Sequence, residues 1–308
     1  MGFATTAQQV ALMFAFILLG LFGARKKWIG PQAVTGMTNI LVYFVAPGVI
    51  IQAFNRTFSA DRLRDLGIVA LVDLAAFPLA ILLGWLLFRK VRDPDRRRNL
   101  RFAAIYSNAG FLGLPLVQAL LGPDGVFFAV IFVVVFNIFV WTQGRSMFIS
   151  GQAGVKELFA NPVIPSMVIG IVLFLFSVRL PGFLVTGIGY LAALNAPLSM
   201  FVVGASLAGV RWRTFATDPW IWLGTAVRTL LIPTLAILAL WPIPLPAEVR
   251  LTILIPLACP VAAYLVMFSV LHETDTDFPA RLVSLSTLIS VLTLPAWVAL
   301  ANTLWGVT

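Results

Sequence analysis

The sequence predicts an all-α integral membrane protein of ten transmembrane helices, built as two inverted five-helix repeats whose helices 4 and 9 break and cross near the midplane. Three observations lead there. The chain of 308 residues is 60% hydrophobic and 11% charged, with a mean hydropathy of +1.00, far too apolar for a soluble protein of this length. Its basic residues are divided very unequally between alternate loops. Two stretches, SNAGFLGLP at Ser107 to Pro115 and IPLACPVAA at Ile255 to Ala263, put proline and small residues inside long apolar segments at corresponding places of the two halves.

Runs of the roughly 20 apolar residues that a bilayer crossing requires give the elements in order. The first, 8–24, has no positive charge before it and is followed by Arg25, Lys26 and Lys27. That is the reverse of a cleavable signal peptide, so this segment is expected in the mature protein. The second, 33–54, carries Asn39 and Pro47, and the third, 66–88, carries Asp73 and Pro78. The fourth, 101–121, is interrupted around Asn108 and Pro115; the fifth, 126–149, carries Asn137. After 158–178 the pattern returns: 184–209 with Asn195 and Pro197, 219–241 with Arg228 and Pro233, 249–271 interrupted around Pro256 and Pro260, and 279–305 with Pro295.

Assigning alternate loops to opposite sides leaves fifteen Lys and Arg on one side, among them Arg89 to Arg101, Arg145, Lys156, Arg211, Arg213 and Arg281. The other side holds five: Arg56, Arg62, Arg64, Arg179 and Arg250. Positive loops stay in the cytoplasm, which places both termini outside a plasma (inner) membrane. The five segments before the Gln152 to Glu157 loop then run opposite to the five after it, dividing the chain into repeats 1–151 and 152–308. The net charge of +9 therefore reads as topology and not as a nucleic-acid surface. A single cysteine, Cys259, excludes an internal disulfide and any multi-cysteine metal site, and the lone His272 falls in a polar loop as a solvated residue. No cofactor or metal is expected.

Proline inside a spanning helix removes a backbone hydrogen bond and crowds the preceding turn, so both breaks free backbone groups within the membrane. Interrupted helices at matching positions of two halves point to the substrate site of a secondary transporter. Asn108, Gly110, Gly113, Pro115, Pro256, Cys259 and Pro260 are the candidate substrate-binding residues. Asn39, Asn137 and Asn195 either line the pathway or bond between helices. Asp73 and Arg228 each stand five residues before a proline, and by helical rise each lies roughly 10 to 14 Å deep in a core about 30 Å thick. A charge there needs a partner or water. They are read either as a fixed ion pair or as a coupling group, Asp73, taking H+ or Na+, with Arg228 neutralising it or attracting the substrate.

The stretches NAGFLGLPL at Asn108 to Leu116, NAPLSMFVVGASLAG at Asn195 to Gly209, ACPVAAY at Ala258 to Tyr264 and STLISVLTLP at Ser286 to Pro295 resemble the auxin efflux carrier family, whose bacterial members include malate and malonate permease-like proteins. The resemblance implies a scaffold of segments 1, 2, 6 and 7 that forms a homodimer, and a moving bundle of segments 3–5 and 8–10 in which the broken helices cross. Plant members carry a long loop after segment 5, and this chain has only a short one. The bile-acid sodium symporters are similar in architecture.

The reading is a permease of small organic anions, carboxylates above all, working by alternating access. The alternatives are a sodium-coupled carrier of the bile-acid type, a channel or sensor with a carrier's fold, and an intramembrane enzyme. The spans lack the histidine and carboxylate cluster, or the paired nucleophile and base, that an enzyme needs. No GKS or GKT sequence points to ATP-driven transport.

Overall fold

A computed structural model of the chain describes residues 3–149, 161–209 and 218–306. Lys156, Arg211, Arg213 and the boundary between the two repeats at 151/152 lie outside these residues. The described residues are helical, joined by short turns: α1 (Phe3–Arg25), α2 (Pro31–Phe54), α3 (Ala60–Phe88), α4 (Pro94–Ile105), α5 (Ala109–Gly144), α6 (Val163–Leu175), α7 (Gly182–Gly209), α8 (Pro219–Leu240), α9 (Ala247–Ala258), α10 (Tyr264–Leu271) and α11 (Asp277–Trp305). Six of them, α2, α3, α5, α7, α8 and α11, are long and apolar enough to cross a membrane. α5 is two arms, because Gly122, at φ 63°, ψ −160°, turns the chain back between 109–121 and 123–144. Only glycine adopts that backbone without strain.

Element ends depart from the sequence reading where a cap outweighs hydropathy. α4 begins at Pro94, not at residue 101, because the Asp93 carboxylate accepts from the Asp95 and Arg96 N–H groups and Pro94 suits a first helical turn. Arg96, Arg97, Arg98 and Arg101 therefore stand on a helix and not in a loop. α3 begins at Ala60 for the same reason, with the Ser59 hydroxyl accepting from Arg62 N–H.

Proline also explains a recurrent local feature. Three five-residue wide turns, Leu41–Val45, Ala109–Gly113 and Val227–Leu231, each end two residues before a proline, at Pro47, Pro115 and Pro233. Widening the turn relieves the clash of the proline ring with the carbonyl one turn back. Pro233 deprives the Thr229 carbonyl of its helical partner, and Trp297 Nε1 of α11 donates to that carbonyl instead, at 2.8 Å.

The connecting segments gather at two ends of the bundle. At one end Arg56 and Arg62 reach Asp124, and Leu180 N–H reaches Asn55 Oδ1 at 3.3 Å. At the other Arg96 pairs with Asp218 at 3.1 Å, Arg98 lies 4.7 Å over the Phe148 ring, and Phe148 stacks with His272 at 6.5 Å. His272 is therefore a packed residue rather than a freely solvated one. Between the ends, a cluster of Phe77, Phe102, Tyr106, Phe132, Phe136 and Phe139 fills the space around the end of α4, with Phe77 stacked on Phe139 at 4.8 Å. The tightest crossing is between α1 and α7, where Gly20 and Gly204 face the partner's backbone.

Candidate functional site

The two interruptions meet. α4 ends at Ile105 and α9 at Ala258, and the extended residues that follow lie antiparallel across one another at Ser107 and Val261. Asn108 N–H donates to the Pro260 carbonyl at 2.7 Å and Ala262 N–H to the Tyr106 carbonyl at 3.0 Å. In an apolar core each backbone group left without a partner costs several kcal/mol, and this short ladder satisfies two on each strand. The breaks thus lie at 106–108 and 259–263, upstream of Gly110, Gly113 and Pro115 and downstream of Pro256; Pro115 sits in the first turn of an α-helical stretch and Pro256 lies within α9. Ser286 of α11, which sequence reasoning did not single out, braces the second break: its Oγ accepts from Val261 N–H at 3.1 Å. It lies within the STLISVLTLP stretch, the one signal that marked it.

Arg228 closes the crossing. Fully buried on the wide turn of α8, its guanidinium donates through Nε to the Cys259 carbonyl at 2.9 Å, through Nη1 to the Ala104 and Ile105 carbonyls at 3.1 and 3.4 Å, and through Nη2 to the Leu257 carbonyl. These are carbonyls at the C-terminal ends of α4 and α9, the groups a helix leaves orphaned and the negative poles of both dipoles. One planar fork holds two helix ends together, a geometry a lysine amine does not reproduce.

The fixed ion pair with Asp73 is not formed. Asp73 is also fully buried, on the α3 face that carries Val69 and Phe77, but among the described residues both its oxygens lack a hydrogen-bond partner and no salt bridge joins it to Arg228. The reason is the abundance of carbonyls at the crossing, which engage Arg228 before α3 is reached. Since Arg228 is satisfied without it, the Asp73→Asn protein is expected to unfold at the wild-type temperature; a large loss of thermal stability would show that Asp73 neutralises a buried cation.

The remaining candidates divide. Asn108, 7% exposed, has no side-chain hydrogen bond among the described residues, and beside it Gly110 is exposed, with open space where a Cβ would stand. Gly113 instead lets the broken helices approach: a Cβ there would lie 3.1 Å from Cys259 Sγ and 3.4 Å from Pro256 Cα. Cys259, Pro256 and Pro260 are buried packing at the crossing. Among the described residues Asn195 of α7 is buried with Nδ2 unpartnered, as is Ser199 Oγ one turn on, and this part of α7 packs against the 109–113 turn. Asn137 takes the helix-bonding role: its Nδ2 donates to the Val133 carbonyl and its Oδ1 accepts from Asn161 Nδ2 at 2.6 Å, tying α5 to the start of α6. Asn39 is exposed on α2. A groove of about 760 Å³ between α3 and α8 reaches Arg228, but its lining of residues such as Leu79, Leu83, Leu235 and Leu238 suits acyl chains more than water.

Comparison with known sequences settles the family. The sequence profile described as Membrane transport protein matches the chain twice, over residues 5–157 and 146–298. The chain belongs to this Membrane transport protein family. The double match agrees with the internal repetition, and the family is the one the sequence resembles. An uncharacterized transporter of Methanocaldococcus jannaschii is 22% identical over 304 residues, spanning 94% of this chain and 96% of the relative. Another, from Methanothermobacter thermautotrophicus, is 22% identical over 304 residues, spanning 96% and 99%. A member of the Membrane transport protein family is a transporter and not an enzyme, and the apolar helices of this chain fit a multi-pass membrane protein.

Proposed function

We propose that the protein is a secondary transporter of small organic anions, carboxylates in particular, which bind where the broken helices cross. The observation that carries this reading is the engagement of Arg228 by carbonyls of both helix ends. With the negative poles of α4 and α9 covered by a buried cation, the field that remains comes from the guanidinium charge and the N-terminal ends of the arms that follow the breaks. Both favour an anion. Asn108, two residues before the open space at Gly110, supplies a donor and an acceptor for its polar group, and Asn195 and Ser199 bring groups from α7 that are unpartnered among the described residues.

Alternating access follows if α1, α2, α6 and α7 form a scaffold, the seat of a homodimer, and α3–α5 with α8–α11 form a bundle that moves against it. The two halves are then inverted repeats of five spans, with both termini outside the inner membrane, as the fifteen-to-five charge bias supports. Asp73 serves as the coupling group: a buried carboxylate without a partner gains much from a proton or a sodium ion. Its replacement by Asn therefore abolishes accumulation against a gradient while leaving exchange in place. The test of the function is uptake of labelled mono- and dicarboxylates into proteoliposomes under imposed pH, sodium and voltage gradients. Saturable, gradient-driven accumulation of a carboxylate is expected; flux that neither saturates nor exchanges would make the protein a channel.

A further inference from the structure

The end of the bundle with few positive charges holds five arginines, and three of them line one cavity. Arg56 at the end of α2, Arg62 in the first turn of α3 and Arg179 between α6 and α7 border an open space of about 500 Å³, together with Asn55, Thr57 and Asp124. Cationic residues on a translocated face work against the charge bias that orients the helices, so their concentration at one point has no topological explanation. Nor does the local ion pairing neutralise them. Asp124, at the turn between the arms of α5, accepts from Arg56 Nη1 at 2.6 Å and from Arg62 Nη1 and Nη2 at 3.0 and 3.3 Å. Arg179 donates to the Thr57 hydroxyl. One carboxylate thus pairs with two of the three guanidiniums, and Arg179 is left with a neutral hydroxyl.

We propose that this cavity is a second carboxylate site, at the mouth of the protein and separate from the crossing, and that Asp124 occupies it as an internal competitor. Asp124 shows the chemistry directly: hydrogen bonds from Arg62, and then from Arg56, hold its carboxyl below the usual range, as a bound carboxylate's would be held. It stands on an exposed turn, 68% accessible, open to the solvent into which a competing carboxylate would displace it. A dicarboxylate has the form the site needs, one group on Arg56 and Arg62 in place of Asp124 and the other on Arg179. The role of the site in loading the transporter rests on the function proposed above, because its arginines come from connections on both the scaffold and the moving bundle; the binding itself does not.

The experiment is equilibrium dialysis of the purified full-length protein with labelled malonate at low and high salt, on wild type, Arg179→Gln, Asp124→Asn and, as a control at the same end but outside the cavity, Arg250→Gln, with unreacted Cys259 thiol confirming that each variant is folded. Malonate binding that weakens with salt is expected in wild type and in Arg250→Gln. It is expected to weaken by about tenfold in Arg179→Gln and to tighten by about tenfold in Asp124→Asn, where the competitor is gone. Unchanged binding in Arg179→Gln, or weaker binding in Asp124→Asn, overturns the proposal. Failure of the transporter reading shows differently, as absent flux in proteoliposomes while the salt-sensitive binding persists.

Discussion

Replacing Arg228 by Gln is expected to destabilise the protein by on the order of 3 to 5 kcal/mol, because a buried charged donor serving two helix ends is lost at once. The four carbonyls at Ala104, Ile105, Leu257 and Cys259 belong to α4 and α9, and a glutamine amide reaches at most one end. Arg228→Lys keeps the charge but concentrates it at one point, and is expected to recover only part of the loss. Cys259 makes the measurement simple. It is the single cysteine and fully buried, so its reaction with a thiol dye on heating reports the opening of this region. The transition of Arg228→Gln should fall by about 10 °C or more. A wild-type transition would show that the carbonyls find other partners.

The second large effect is expected at Gly204. A Cβ there would lie 1.9 Å from the Ile17 carbonyl oxygen and 2.8 Å from its carbon, and at the reciprocal position, Gly20, 2.4 Å from the Phe201 carbonyl oxygen. Both obstacles are backbone, which does not swing aside as a side-chain tip does, so α1 and α7 must part. Gly204→Val is expected to cost about 3 kcal/mol or more. Gly209→Ala is the control, since nothing stands within 4 Å of a Cβ there and no loss of stability is expected. The same thiol assay compares them, and equal transitions for the two variants would show that the α1–α7 crossing adjusts freely.

Much of this was legible in the sequence because it depends on local chemistry. The paired breaks follow from proline and glycine in apolar segments, and they are present, though centred on 106–108 and 259–263. The shift has a physical cause: Pro115 fits the first turn of the helix it opens, while Pro256 lacks only one N–H in α9, and the extended pairing at Ser107 and Val261 replaces what both helices lose. The burial of Asp73 and Arg228 was also legible. Their partners were not, because a backbone carbonyl carries no signature in the sequence, and a pairing of opposite charges is the only one that residue types suggest. Asn137 and Asn161 illustrate the same limit: their amide-to-amide bond joins residues 24 apart. The caps at Ser59 and Asp93 lengthened α3 and α4 beyond their apolar runs, since a hydropathy window weighs burial and not hydrogen bonding.

The central claim is that an anion binds at the crossing, against Asn108. It is tested most directly by counterflow of a labelled carboxylate substrate in proteoliposomes containing equal amounts of folded wild type or Asn108→Ala. The account predicts that half-saturation in Asn108→Ala rises by the equivalent of about 1 to 3 kcal/mol, the cost of leaving a polar group of the substrate unpaired, with the thermal transition unchanged. A half-saturation equal to that of wild type would remove Asn108 from the site and contradict the placement of the substrate between the two breaks.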